Sequence, residues 1–204
     1  MMRILSISSG TVSPLFGAHH PNYHVVPSAI NKKAISTLEN PRSVEISSLG
    51  VLGDEQADLS VHGGIEKAIY VYPSEHYHFW NSFLTRETNQ EVHLQHGAMG
   101  ENFTIEGLLE ADIYVGDQLN IGELVFIVTK LREPCFKFNV KMKYKGAAKA
   151  MLQSAYSGWY LRVSRVGHIA AGATIDVIPG SRMKSIAQQN SDLFNRNKQQ
   201  DLWD

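Results

Sequence analysis

The single thiol of the chain, Cys135, lies in Arg132-Glu133-Pro134-Cys135-Phe136-Lys137, directly after a strand-like apolar run at 124–129. Proline suits the first turn of a helix, so Cys135 is expected near a helix N-terminus with two cations close in sequence. Both influences favour the thiolate, the form that attacks electrophiles and binds soft metals, and such a setting lowers a thiol from its reference pKa of about 8.5. The plain alternative is inert packing, because free cysteine is among the most buried residue types.

A second group is Gly53-Asp54-Glu55-Gln56-Ala57-Asp58, then His62-Gly63-Gly64, then Lys67. Paired glycines let backbone N–H groups approach a ligand, while Gln56 and Lys67 add an amide and a cation, which makes a cradle for an anion or heterocycle. It is neither a Walker A loop nor a GxGxxG turn, and an ordinary glycine turn with a solvated histidine would look the same. Gly97-Ala98-Met99-Gly100-Glu101-Asn102 is similar in character. Asn102 could meet a heterocycle edge or simply cap the turn. Gly116-Asp117 reads as a hairpin turn.

Other chemistries find less support. Among the nine histidines, His76 and His78 fall on different faces of a helix, His93 and His96 lack a third ligand, and HExxH is absent. No GxSxG elbow or paired carboxylates suggest a hydrolase, although Cys135 with His62 leaves a cysteine hydrolase or transferase open.

The elements that must hold these loops are mostly short strands, at 3–9, 44–49, 68–72, 103–105, 114–121, 158–163 and 173–178, with a hairpin joining 119–122 to 124–129. One amphipathic helix should follow Pro73-Ser74-Glu75, where Tyr77, Trp80, Phe83 and Leu84 recur at helical spacing. A second is expected at 145–155, and one loosely attached helix after Pro179-Gly180. The fold class is therefore mainly β with a few helices, a barrel or sandwich over residues 1–180 with a short helical or partly disordered tail at 181–204.

Composition narrows the setting. With 204 residues, 19 basic and 20 acidic, one sizeable core is expected and generic coating of nucleic acid or anionic lipid is not. A lone cysteine permits no intrachain disulfide or CxxC zinc site, and the start of the chain carries no secretion signal, which points to a cytoplasmic protein. The most apolar windows, 124–128 and 169–178, are far shorter than the roughly 20 residues of a membrane span.

In order along the chain, these motifs resemble the MOSC domain proteins, named after the C-terminal domain of molybdenum cofactor sulfurase, and in particular the stand-alone bacterial YiiM-like group. The matching residues are Gly53 to Asp58, His62-Gly63-Gly64, Lys67-Ala68, Tyr72-Pro73 with Glu75-His76-Tyr77, Gly100-Glu101-Asn102, Gly116-Asp117, Arg132 with Pro134-Cys135 and Lys137, and Gly158-Trp159-Tyr160. The resemblance covers residues 30–172. It implies a MOSC-type β-barrel that binds the molybdenum cofactor (molybdopterin), with no need for pyridoxal phosphate. Cys135 would be the molybdenum ligand. Lys32 or Lys33, Gln56, Gly63, Gly64, Lys67, Asn102, Arg132 and Lys137 would hold the anionic pterin. Ala29 stands where the family usually carries glycine, and only 24 residues follow Gly180 where the group commonly has a longer helical extension.

The resemblance further implies reduction of small N-hydroxylated compounds, such as hydroxylaminopurine base analogues, to amines. His62 would serve as proton donor and Arg132 as polariser of the N–O bond. One cysteine cannot hold an iron–sulfur cluster and no flavin or haem motif is present, so a separate electron-donating reductase is the implied partner. Two other functions remain open: a non-catalytic carrier of the cofactor or its sulfur, and the metal-free cysteine enzyme. Trp203 is compatible with a homodimer contact.

Overall fold

The segment Leu124–Leu131 shows the pattern on which the fold rests: Leu124, Phe126, Val128 and Leu131 are buried, while the residues between them are half-buried on the opposite face. Such alternation specifies a strand with one face on a core. The computed structural model describes residues 1–16, 19–21, 26–57 and 63–199. Their strands are β1 (Arg3–Ser9), β2 (Ser13–Pro14), β3 (Pro27–Ser28), β4 (Lys33–Thr37), β5 (Val44–Ser47), β6 (Gly50–Val51), β7 (Ile69–Pro73), β8 (Phe103–Glu106), β9 (Gln118–Ile121), β10 (Leu124–Leu131), β11 (Trp159–Arg165), β12 (Gly167–Ile169) and β13 (Asp176–Ile178). The helices are α1 (Tyr77–Thr88), α2 (Phe136–Lys141), α3 (Ala147–Ser154) and α4 (Ile186–Gln199).

Eight strands form one curled sheet in the order β13-β9-β10-β11-β7-β8-β1-β4. The expected hairpin is present as β9 and β10, with Leu124 opposite Ile121 and Gly122 at φ 60 in the intervening turn. β7 and β8 run parallel, and α1 lies in the crossover that a parallel pair requires. Residues 172–175 bond to β1 (Ile4 N–H to Ala173 O, 3.0 Å; Gly172 N–H to Ile4 O, 2.8 Å), and the same run continues as β13 alongside β9. That continuous segment closes the curl into a barrel.

β7 explains how the rest is layered. All five of its residues are buried, because it separates two cores. Ile69 and Val71 face the barrel interior with Ile4, Phe103, Phe126 and Trp159. Tyr70 and Tyr72 face outward into a second core with Trp80 of α1, Phe138 of α2 and Met151 of α3. The Trp80 indole N–H donates to the Tyr72 hydroxyl at 2.6 Å, so this large side chain is buried without an orphaned donor. Among the described residues, no helix is long and apolar enough to cross a membrane.

Several boundaries differ from expectation. The strand expected at 114–121 is formed only from Gln118, because the buried Asp117 carboxylate accepts the N–H groups of Tyr114 (3.1 Å) and Gly180 (2.7 Å) and holds 114–117 as a turn. Gly116-Asp117 therefore anchors the C-terminal linker rather than joining two strands. The strand expected at 44–49 ends as β5 at Ser47, and a turn with an exposed Leu49 leads into β6, where Gly50 stands opposite Ser47. β4, a polar edge strand, and β12 were not expected from the pattern.

α4 is anchored at its start. Ser185 and Gln188 form a reciprocal capping box (Gln188 N–H to Ser185 Oγ, 3.2 Å; Ser185 N–H to Gln188 Oε1, 2.8 Å), and Ile186 is fully buried. One turn on, Asn190 is completely buried and neither its Oδ1 nor its Nδ2 finds a partner. Replacing it with leucine, of similar size, should stabilise the protein by about 1–2 kcal/mol. Thermal unfolding would then shift upward by about 2–8 °C. A lower melting temperature would mean that the amide is satisfied by bound water.

Candidate functional site

β10 ends at Leu131 and releases the chain across the barrel rim. Arg132 is tethered there by its N–H to Gly158 O (3.3 Å), and Pro134 precedes Cys135, which takes an extended conformation (φ −124, ψ 179) as the residue capping α2. The helix start expected around Cys135 is thus present, although α2 is only six residues long. Cys135 is half-buried and unpaired in any disulfide.

It faces an open cavity whose wall draws on the segments 28–32, 54–57, 67–70, 99–102 and 132–137, with Tyr160 beside them. Lys32, Gln56, Lys67, Asn102, Arg132, Cys135 and Lys137, drawn from five separate loops, all line it. The site residues expected from sequence therefore largely converge, but their roles differ.

Arg132 is the least ordinary of them. It is 6% exposed, its guanidinium lies 4.6 Å from the Phe138 ring centre and 5.3 Å from that of Tyr70, and Nη1 donates to Met151 Sδ at 3.0 Å. Among the described residues no carboxylate forms an ion pair with it. Burial works against its charge, and Tyr70, Tyr160 and Cys135 outweigh burial and hold its pKa above the usual value. With no carboxylate against it among the described residues, this buried cation has the character of an anion-binding group.

The lysines surround it at different degrees of commitment. Lys32 is buried against Asp54 (2.5 and 2.6 Å), so its charge is largely answered from within, and burial lowers its pKa despite Asp54. Asp54 also accepts Gly10 N–H (2.8 Å) and an Asn102 amide proton (2.9 Å), fastening three chain segments behind the cavity wall. The Lys67 ammonium lies 5.9 Å from the Tyr160 ring centre, and burial with the nearby Lys130 charge lowers its pKa. Lys137 donates to Pro27 O at 3.0 Å.

Other expected ligand groups turn inward. Asn102 is buried, its Oδ1 accepts Tyr70 N–H (3.1 Å) and its Nδ2 donates to Ser8 O and Asp54, so the amide clamps the wall instead of presenting an edge to a heterocycle. Gln56 Oε1 accepts Gly64 N–H at 2.8 Å and its Nε2 donates to Leu49 O at 3.2 Å. A methyl at Gly63 would stand 2.2 Å from Gln56 Oε1, so the diglycine serves close packing on Gln56, and the Gly64 amide is engaged there rather than turned to a ligand. Gly63 and Gly64 are not in the cavity wall. His62 and Asp58 lie outside the described residues. Lys33 begins β4 and is exposed. No cluster of three or more His, Cys, Asp or Glu side chains suited to a metal occurs among the described residues.

Two wall residues were not singled out as site residues by sequence reasoning. Tyr70 of β7 and Tyr160 of β11 sit directly opposite each other across the ladder, with ring centres 5.4 Å apart, facing away from the barrel core. The signal was the alternation itself: with Trp159 and Leu161 inward, Tyr160 must point out. Burial raises the Tyr160 pKa against the opposing pull of the Arg132 cation, so the phenol keeps its proton.

Residues 58–176 match the family model of the MOSC domain. The chain belongs to the MOSC domain family. It is 38% identical over 143 residues to the uncharacterised protein YflK of Bacillus subtilis, an alignment covering 70% of this chain and 62% of that protein. A protein of Gibberella moniliformis named "Reductase" is 35% identical over 147 residues, 71% of this chain but only 25% of that longer one. Among solved structures, YiiM from Geobacillus stearothermophilus superposes with a TM-score of 0.72 at 29% identity, covering 97% of this chain and 86% of that one.

Proposed function

We propose that the chain binds the molybdenum cofactor through Cys135 and reduces N-hydroxylated compounds to amines with electrons from outside. The observation that carries this reading is the pairing, in one cavity wall, of the only thiol with a buried guanidinium that has no carboxylate partner among the described residues. A soft sulfur donor, one buried cation and two lysines near the mouth form a donor set that fits an anionic dithiolene pterin bearing a phosphate. When bound, that group supplies the two-electron redox chemistry.

The residues of the chain do the rest. Cys135 would be the protein ligand, and Lys67 and Lys137 would receive the phosphate. Arg132, fixed between the Phe138 and Tyr70 rings, orients the oxygen of an R–NHOH substrate. Tyr160 holds a proton in the wall, and His62, assigned from sequence alone, is the second proton source. The overall conversion takes R–NHOH, two electrons and two protons to R–NH2 and water, with cleavage of the N–O bond. A relative named "Reductase", in which the matching region is a quarter of the chain, supports a reductive role alongside other parts.

The test is elemental analysis of protein purified from a molybdenum-replete, cofactor-competent host, followed by hydroxylaminopurine with a chemical reductant. The expected result is bound molybdenum and formation of the amine. Metal without amine would indicate a carrier. A metal-free protein with an alkylatable thiol would favour the cysteine hydrolase or transferase.

A further inference from the structure

The near balance of charge in the whole chain, 19 basic against 20 acidic residues, conceals an uneven distribution. From Pro134 through Ile175 there is no aspartate or glutamate, whereas lysines stand at 137, 141, 143, 145 and 149. These five fall on α2, on the turn after it and on α3, and the start of α2, from Cys135 to Lys137, forms one lip of the cavity. Lys137 lines the cavity, and Lys141, one helical turn on, reaches Asn31 Oδ1 at 2.9 Å beside the 28–32 wall. Lys143 and Lys145 are exposed in the turn. None of the five is in an ion pair among the described residues. Next to Cys135 on the same lip, the Phe136 side chain is 54% exposed. Glu87, bonded to Tyr144 and Arg86, is the acidic residue that bounds this face on the α1 side.

An exposed aromatic within a field of lysines that form no ion pair among the described residues complements an acidic surface with an apolar centre. We propose that the face made by α2 and the turn into α3 docks an acidic electron-donor protein carrying a flavin or an iron–sulfur centre. The inference rests on the reductase reading above: each substrate consumes two electrons, which the docked donor loses, and the cavity that uses them opens at this lip. Lysines are strongly hydrated point charges suited to a brief, salt-sensitive encounter. Single-stranded nucleic acid would instead call for arginines and stacked aromatics along a groove.

The experiment titrates the full-length protein with an acidic flavodoxin as probe, followed by fluorescence anisotropy. The variants are Lys143→Glu with Lys145→Glu, both outside the cavity, and Lys198→Glu on α4 as a control for charge alone. Wild-type binding should weaken on the order of tenfold between about 0.05 M and 0.3 M salt. The double variant should bind on the order of tenfold more weakly than wild type, with an unchanged melting temperature, and Lys198→Glu should bind as wild type does. Failure of the wild type to bind, or equal binding by the double variant, overturns the assignment. Tighter binding to an RNA oligonucleotide or to phosphatidylserine vesicles at about 0.15 M salt overturns it too. Turnover with reduced methyl viologen, which requires no docking, reports separately on the reductase reading. If loaded wild type gives no amine with that small donor, the reductase reading fails while the anisotropy result still decides the docking surface.

Discussion

Alanine in place of Cys135 should leave a folded protein that no longer retains molybdenum. Cys135 is the only cysteine of the chain, so its loss should lower affinity for the metal by more than the roughly 10–100-fold typical of losing a supporting residue. Amine formation should fall below detection with it. Stability should hardly move: Cys135 is half-buried and its structural duty, the start of α2, is carried by its backbone carbonyl accepting Phe138 N–H at 2.9 Å. A change within about 0.5 kcal/mol is expected. Cys135→Ser makes the sharper comparison, since it keeps the shape and exchanges a soft donor for a hard one. Metal content equal to wild type in the serine or alanine protein would sink the proposed ligand role.

The second large effect is on stability, at Glu101. Its carboxylate is fully buried and accepts four protons, from the Tyr77 hydroxyl, Gly97 N–H (2.7 Å), Thr104 Oγ (2.7 Å) and Met99 N–H (3.0 Å). Burial, reinforced by Glu101, holds the Tyr77 phenol far above its ordinary pKa, so it remains a donor. Glu101→Ala strands four buried donors, and a loss of about 4 kcal/mol or more follows. The melting temperature should drop by about 8–16 °C. Glu101→Gln, which keeps one acceptor and adds a donor where none is wanted, should fall between. Met99, Gly100 and Asn102 belong to the cavity wall, so ligand binding should weaken in step with stability. Unfolding of the alanine protein within about 2 °C of wild type would show the network to be dispensable.

Much of this was legible from sequence because it depended on local pattern. Short β-rich runs between turn residues marked β1, β10 and β11, Gly122 marked the hairpin, and the spacing of Tyr77, Trp80 and Leu84 marked α1. What failed was information carried by distant partners. Asp117 looked like half of a hairpin turn, and only its bond to Gly180, 63 residues on, reveals an anchor. Asn102 and Gln56 had the right chemistry for ligands but are consumed by Tyr70 and Gly64, partners that no short window contains. α4 is present where a loosely attached helix was expected, and the cue to its firm start is local: a serine three residues before a glutamine, Ser185 and Gln188, is an N-terminal signature in its own right. Arg132 was expected as a ligand from the family resemblance. Its burial beneath Phe138 and beside Met151 depends on α2 and α3 folding over β7, which sequence did not disclose.

The closing run of the barrel has a consequence for synthesis on the ribosome. β1 is made well before Gly172 to Ile175, yet one part of its edge is completed only by those residues. Until those residues leave the exit tunnel, the nascent chain carries an open rim of unsatisfied amides and a barrel interior exposed to its surroundings. A topology dominated by such distant pairings forms slowly and lies open to self-association while it waits, so the yield of native protein should be more sensitive to translation rate and chaperone supply than the finished molecule's stability suggests.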